Sequence, residues 1–364
     1  MAIRTTVTSG RPSGAGDGWA PAETVAARIP VGGRVHDIIT RGEGEHVYVA
    51  LSDSVTVVNG RHHIVGTIPV GAEPKRLAFD ADGRRLFVVH HGGSVSVIDT
   101  RDHTVRTLCG GEDLDVVVGA DGGRLYAAHG SGVSVVDIAG AATIATVPVV
   151  GDVAALALSS DSSYLYAVSS DRRTYYQYPA AWLTIIDTAT NAVVDIIDVG
   201  HSPETITVSP DGAYAYITHY DTCSVSAVNL TTGTVTAVAL RDAPLAVTFT
   251  PDGMRAYVTN SGSLTVIDTA TNDVADIVTG RLPRGVRISP DGKRAYVTNF
   301  GDHTVSVVDT ITNSVSATVD VPGYPEAVAI SPDGERVYVG DYWSGAVTVI
   351  SIPTVRDLHT DAVA

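Results

Sequence analysis

Cysteine is almost missing from this chain of 364 residues: there are two, Cys109 and Cys223. They fall in sequence repeats that are not neighbours, so no disulfide framework is expected. Phenylalanine (4) and methionine (2) are also scarce, while Val, Ile, Thr and Tyr abound, a balance that favours strands over helices. No apolar run is long enough to span a bilayer. Residues 1–21 are rich in Gly, Ser, Thr and Pro, and no apolar stretch follows Arg4. A secretory signal is therefore not expected, and a cytoplasmic location is. Basic residues number 24 against 40 acidic ones, a net charge of -16. That balance works against general binding to nucleic-acid phosphates or anionic membranes, although it leaves room for a local basic patch. The common catalytic signatures are missing too: there is no Gly-x-Ser-x-Gly elbow, phosphate loop, His-Glu-x-x-His or Cys-x-x-Cys.

What the sequence does have is internal repetition. An aromatic residue recurs at Tyr48, Phe87, Tyr126, Tyr166, Tyr216, Tyr257, Tyr296 and Tyr338, spaced by 39–42 residues except for one interval of 50. Seven of these eight units place an Asp in the preceding turn, from Asp82, Asp121 and Asp161 to Asp211, Asp252, Asp291 and Asp333. The first unit is degenerate there. Each unit reads as four short strands. In the seventh, strands are expected at Val286 to Ser289, Arg294 to Thr298, Thr304 to Asp309 and Ser314 to Val321, separated by Pro-Asp-Gly and Thr-Asn turns. Units of about 40 residues with four strands are blades of a β-propeller. The fold expected is an all-β, single eight-bladed β-propeller spanning 23–353, with tails at 1–22 and 354–364.

The ends of the chain predict how the ring closes. Thr24 to Val31 resembles the fourth strand of other units, and the last unit stops after its third strand, Ala346 to Ser351. The N-terminal segment is therefore expected to supply the outer strand of blade 8 and to hide its edge. Ala256-Tyr-Val-Thr-Asn260 and Ala295-Tyr-Val-Thr-Asn299, with Ser-Pro-Asp-Gly and Val266 to Asn272 around them, resemble the YVTN family of bacterial β-propeller proteins. The resemblance covers about Thr24 to Pro353. It implies the fold, but not one function, since such propellers host enzymes, surface proteins and binding modules. Family members look seven-bladed. An eighth unit widens the central channel.

Repeat alignment places a candidate site on the face that carries the loops leading into the inner strands. One residue per blade rings the channel mouth: His36, Lys75, Leu114, Ala154, Glu204, Leu245, Arg284 and Glu326. Arg284, Glu326, His36 and Lys75 fall in succession and form a polar arc, to which Asp37 and Arg76 add. A second ring, at the family's Asn position, reads Leu51, His90, His129, Ser169, His219, Asn260, Asn299 and Asp341. His303, Tyr342 and Trp343 lie nearby. With strands about 4.8 Å apart, second-ring positions on neighbouring blades come out roughly 11 Å apart, which disfavours a three-histidine metal site. A framework role for the second-ring histidines stands beside a ligand-binding one. The extra residues of the fourth unit, Ser170 to Trp182, carry Tyr175, Tyr176 and Tyr178 with Arg172 and Arg173, a composition suited to a lid or a protein contact.

Two functions follow. In the first, the protein is an enzyme acting on a small organic molecule (a lyase, cyclase, isomerase or lactone hydrolase). His36 is its acid or base, Glu326 orients His36 or shares a divalent metal ion with it, and Arg284 and Lys75 hold an anion. Arg76, His90, Glu204, His219, His303, Asp341, Tyr342, Trp343 and the insertion tyrosines would contact substrate. In the second, the same face presents a non-enzymatic scaffold to a protein or peptide. Either a monomer or a dimer is compatible with the sequence.

Overall fold

A computed structural model describes residues 23–41, 46–71, 73–80, 82–109, 115–171 and 179–352. The proposed tails, Leu114 and the insertion residues Arg172, Arg173, Tyr175, Tyr176 and Tyr178 lie outside them. The described residues form thirty-two strands, β1 to β32 in chain order, arranged as eight four-stranded antiparallel sheets. Blade 7 is β26 (Pro283–Ile288), β27 (Arg294–Asn299), β28 (Thr304–Asp309) and β29 (Ser314–Asp320). Its inner strand thus begins three residues before the expected start, and the other strands lie within a residue of theirs. The fold is an eight-bladed, all-β propeller.

The recurring turn explains why each unit folds alone into a hairpin. In blade 5 the Ser209 hydroxyl donates to Asp211 at 2.5 Å, and the Ala213 amide donates to the same carboxylate oxygen at 3.0 Å. Gly212 takes the left-handed conformation, φ 71°, that closes the turn. Those hydrogen bonds, the hydroxyl's above all, hold the Asp211 carboxyl below the usual carboxylate range. The same Ser–Asp contact recurs at Ser289–Asp291 and Ser331–Asp333.

The aromatic of each repeat is a contact between blades. Tyr48, Tyr216, Tyr257, Tyr296 and Tyr338 are wholly buried. The Tyr257 hydroxyl donates to Asn313 Oδ1 at 2.8 Å, one blade further on, and Tyr216 reaches Asn272 in the same way at 3.3 Å. The Arg two residues before the Tyr also crosses a seam. Arg85 donates to Gly122 O at 2.8 Å, Arg255 to Thr310 O, and Arg336 of blade 8 to Gly60 O of blade 1 at 3.1 Å.

Closure follows the expected scheme. β1 (Thr24–Pro30) pairs antiparallel with β32 (Ala346–Ser351), completing the order β30-β31-β32-β1 in blade 8, where β30 is Pro325–Ile330 and β31 is Arg336–Asp341. Ile29 of this clasp shares one core with Val35, Val47 and Val49 of blade 1 and with Tyr338, Val347 and Val349 of blade 8. Among the described residues no helix is long and apolar enough to cross a membrane.

The clasp should therefore carry measurable stability. Ile29 is 4% exposed and Val25, in the same strand, 44%. Ile29→Ala is expected to lower the unfolding free energy by about 2–4 kcal/mol, against less than about 0.5 kcal/mol for Val25→Ala. Equal urea midpoints for the two variants would show that the clasp does not close the core.

Candidate functional site

The mouth ring is a product of β-bulges. In the inner strands of blades 2, 4, 5, 6, 7 and 8 the register to the second strand slips at the mouth, between Pro74 and Arg76, Val153 and Ala155, Pro203 and Thr205, Pro244 and Ala246, Pro283 and Val286, and Pro325 and Ala327. The residues left out of the ladder include Lys75, Ala154, Glu204, Leu245, Arg284 and Glu326, all ring positions. A bulge re-aims its extra side chain, and a Pro at the strand's first position gives up no ladder bond there. The Thr of the repeat signature holds the bulge. Thr298 Oγ1 accepts the Gly285 amide at 2.8 Å and donates to the Glu326 carbonyl at 3.1 Å. Thr259 Oγ1 donates to the Arg284 carbonyl at 2.9 Å.

The second ring points into the framework. Asn260 Nδ2 donates to Thr265 at 2.8 Å, and Asn299 Nδ2 donates to Ser306 at 2.8 Å. Histidine fills the same place. His90 Nε2 lies 2.9 Å from Ser96 Oγ, His129 Nε2 2.8 Å from Ser134 Oγ, and His219 Nε2 2.9 Å from Ser226 Oγ. His219 Nδ1 also meets the His201 carbonyl at 2.6 Å. Asp341 organises its loop: its carboxylate accepts the amides of Tyr324, Trp343 and Ser344 at 3.0–3.1 Å and lies 3.6 Å from Arg28. Burial opposes the charge of Asp341, but these hydrogen bonds and that of the Ser344 hydroxyl outweigh it and keep the carboxyl below its usual range. Three residues expected to touch a ligand, His90, His219 and Asp341, are therefore committed to the loops they stand on.

The polar arc divides into two groups. His36 feels the charges of Glu73, Arg34 and His91, and burial, the largest effect, pulls its pKa below the ordinary value. Glu326 answers Arg284 instead; burial raises its carboxyl and Arg284 partly offsets the rise. Lys75, Arg76 and Glu204 are exposed, and Arg76 pairs with Asp115 of the next blade at 2.7 Å. Among the described residues no group of three or more His, Cys, Asp or Glu side chains is placed to hold a metal ion.

What surrounds the arc is aromatic. On blade 8 the Tyr342 and Trp343 rings meet edge-on at 5.0 Å, and His36 stands edge-on to Tyr342 at 5.7 Å. The Arg34 guanidinium lies 4.2 Å from the Trp343 ring centre and 5.5 Å from that of Tyr342. Further round, Arg284 lies over Phe300, Phe300 packs on Tyr324, and Tyr324 meets His303 at 4.6 Å. Trp343 is 54% exposed and Tyr324 40%. Arg34, Phe300 and Tyr324 were not among the expected site residues. Each lies in a loop beside one that was, but only the folded seam stacks them. Across the ring, a cavity of about 240 Å³ bordered by Gly151, Asp152, Asp171 and Trp182 opens beside the insertion.

No protein-family profile matches the chain. It is 32% identical over 149 residues to the seven-bladed β-propeller protein Rv1057 of Mycobacterium tuberculosis, a match covering 38% of this chain and 36% of that one. The chain thus spans about a third of that relative's length. Among solved structures it is similar to the hydrazine synthase of Kuenenia stuttgartiensis, with TM-score 0.60 and 21% identity over 93% of this chain and 99% of that one. It is also similar to the C-terminal WD40 domain of Sif2, with TM-score 0.74 and 11% identity over 93% and 100%. At such identities the likeness is one of fold: a β-propeller of WD40-like architecture.

The second ring yields a pH prediction. Burial, ahead of the bond to the His201 carbonyl that opposes it, lowers the pKa of His219. The unfolded chain then takes up this proton at about pH 6.5, before the folded one does. The stability due to neutral His219 is complete above that pH and is lost as pH falls through the lower, folded value. His219→Asn, which installs the residue of blades 6 and 7, should stay within about 1 kcal/mol of the parent at neutral pH. It should also lose part of the fall in urea midpoint between about pH 7 and pH 5. An unchanged acid slope would remove His219 from the account.

Proposed function

We propose that this protein is a recognition module, a propeller of the YVTN-repeat kind that holds a protein or peptide partner on the mouth-side face of blades 7, 8 and 1. One observation carries the reading: exposed aromatic rings, Trp343 and Tyr324, stand beside stacked guanidinium groups, Arg34 and Arg284, at a single sector of the rim. Aromatic residues and Arg dominate binding energy at protein interfaces, because they bury much area at little entropic cost and keep a polar edge. Arg34 is already ordered on Trp343, which lessens what a partner must immobilise. Lys75 and His36 extend the sector, and its cations stand out on a chain of net charge -16.

Capture on the immobilised protein, followed by titration of whatever partner is identified, tests this. Trp343→Ala is expected to weaken that partner by at least about 30-fold, the scale of an interface hot spot. Glu204→Ala, on the far side of the mouth, should leave affinity within about 3-fold. A partner indifferent to Trp343, Arg34 and Tyr324 would overturn the assignment.

A second reading has its own observation. Burial raises the Glu326 carboxyl at the channel mouth, with Arg284 beside it, the setting of a general acid. A small-molecule lyase, cyclase, isomerase or lactone hydrolase would use Glu326 and His36, with Arg284 and Lys75 on the anion and a divalent ion if one binds. Incubation of the protein with a metabolite pool, followed by mass spectrometry, should then reveal a compound consumed by the parent and spared by Glu326→Gln and His36→Ala. Equal consumption by all three would exclude this site.

A further inference from the structure

The wall of the channel carries a second feature, below the mouth. Three positions after the mouth residue, seven of the eight inner strands carry an uncharged side chain: Ile39, Ala78, Val117, Ala157, Thr207, Thr248 and Ala329. The eighth is Arg287. Ala329 of blade 8 is the smallest possible side chain there short of glycine and stands between the longer Ile39 and Arg287 of blades 1 and 7. A niche of about 310 Å³ results, at the small end of the range for ligand sites, roughly 300–1,000 Å³.

The chemistry of this niche is polarised. Among the described residues, Asp37 of blade 1 and Arg287 of blade 7 are its only charged lining residues. Arg287 is exposed, and its one hydrogen bond among the described residues is to the carbonyl of Val286 on its own strand, at 3.0 Å. The fork of a guanidinium has five donors suited to a carboxylate, so most of its capacity is open. Asp37 accepts the Ile38 amide through Oδ1 at 2.8 Å and the Leu77 amide through Oδ2 at 2.9 Å, which fixes its orientation. Two further lone-pair sites remain on the carboxylate. Burial raises the Asp37 carboxyl above its usual range, and the Leu77 amide and the Arg287 charge partly offset the rise, but among the described residues no ion pair closes between Asp37 and Arg287. Apart from Thr40 and Ser331, the rest of the lining is apolar, chiefly Ile39, Ile288, Ile330 and Ala329.

We propose that this niche binds a small apolar amino acid, its carboxylate on Arg287, its ammonium on Asp37 and its aliphatic side chain against Ala329 and the isoleucines. A cation and an anion lining one niche match the two charges of a zwitterion, and the aliphatic residues beside them match a branched aliphatic side chain. A simple anion would satisfy Arg287 and leave Asp37 facing like charge. A simple amine would do the reverse. The niche lies within the channel, apart from Trp343 and Tyr324, and does not depend on the recognition role of the rim.

Calorimetric titration of the full chain with L-leucine, L-isoleucine and L-valine tests the proposal. At least one is expected to bind, and 4-methylpentanoate and 3-methylbutylamine, which each lack one charge, should bind at least about 10-fold more weakly. Arg287→Met removes the fork at an exposed position and should abolish measurable binding, while Ala329→Leu should block the niche by volume. Trp343→Ala should leave the affinity unchanged. Absence of heat with all three amino acids, or binding indifferent to Arg287→Met, would overturn the proposal.

Discussion

The pairing of β1 with β32 is the constraint on which the rest of the molecule depends. A blade is two-sided: each sheet buries one face against the blade before it and the other against the blade after. Seven seams form between consecutive segments of chain, but the eighth requires residues near opposite ends to meet. The packing there is tight. A Cβ on Gly345 would come within 2.8 Å of the Gly33 backbone, and one on Gly340 within 2.5 Å of Val35. Arg336 and Thr40 add hydrogen bonds across the same seam, to Gly60 O and Ile330 O. The sector proposed for recognition stands on this closure. Arg34 and His36 follow the clasp directly, and Tyr342 and Trp343 precede β32. Open the ring, and Arg34 no longer lies on Trp343. A partner that binds the stacked pair therefore binds only the closed ring, and its affinity adds to the stability of the seam by mass action.

The repeat signature divides its work along the second strand. The Tyr joins one blade to the next through an Asn in the outer turn. The Thr secures the bulge that turns a mouth residue toward the channel. The Asn, or a His in its place, ties the second-to-third-strand loop to a Ser or Thr on the third strand. Both Asn and His suit this last task, since each sets a polar nitrogen in a planar group of similar reach against that hydroxyl. The histidines at 90, 129 and 219 thereby have a place in the framework, each against a serine of the third strand.

The architecture was legible in the sequence because it is stated eight times, and any one degenerate copy, such as the first turn, is corrected by the others. The clasp was legible because Thr24 to Val31 repeats the pattern of a fourth strand. The mouth ring could be aligned, but the bulge that makes it a ring could not, since it is a change of register with no change of length. Which residues meet across the seam was also hidden. His36 was matched with Glu326 from their ring order, whereas the folded chain surrounds His36 with Glu73, Arg34 and His91. Those come from loops whose paths are set by three different blades.

In a repeat protein the constant positions build the scaffold and the exceptions are free to do something else. The inner strands show this position by position. Ile38, Leu77, Val116, Leu156, Ile206, Val247, Val286 and Val328 are apolar in every blade, because that side chain packs between sheets. One residue earlier and one later the residues diverge, and charged or polar side chains stand among apolar ones, such as Ile39 and Ala329, that pack into the inter-blade cores. Asp37 and Asp115 there accept the amide of the neighbouring inner strand, at Leu77 and Leu156, and so still serve the ring. Arg287 does not: among the described residues it makes no hydrogen bond to a neighbouring blade, and it breaks an otherwise uncharged set. A guanidinium there, beside a blade that has given up side-chain volume at Ala329, is difficult to attribute to stability alone, since an exposed charge that closes no ion pair among the described residues adds little to it.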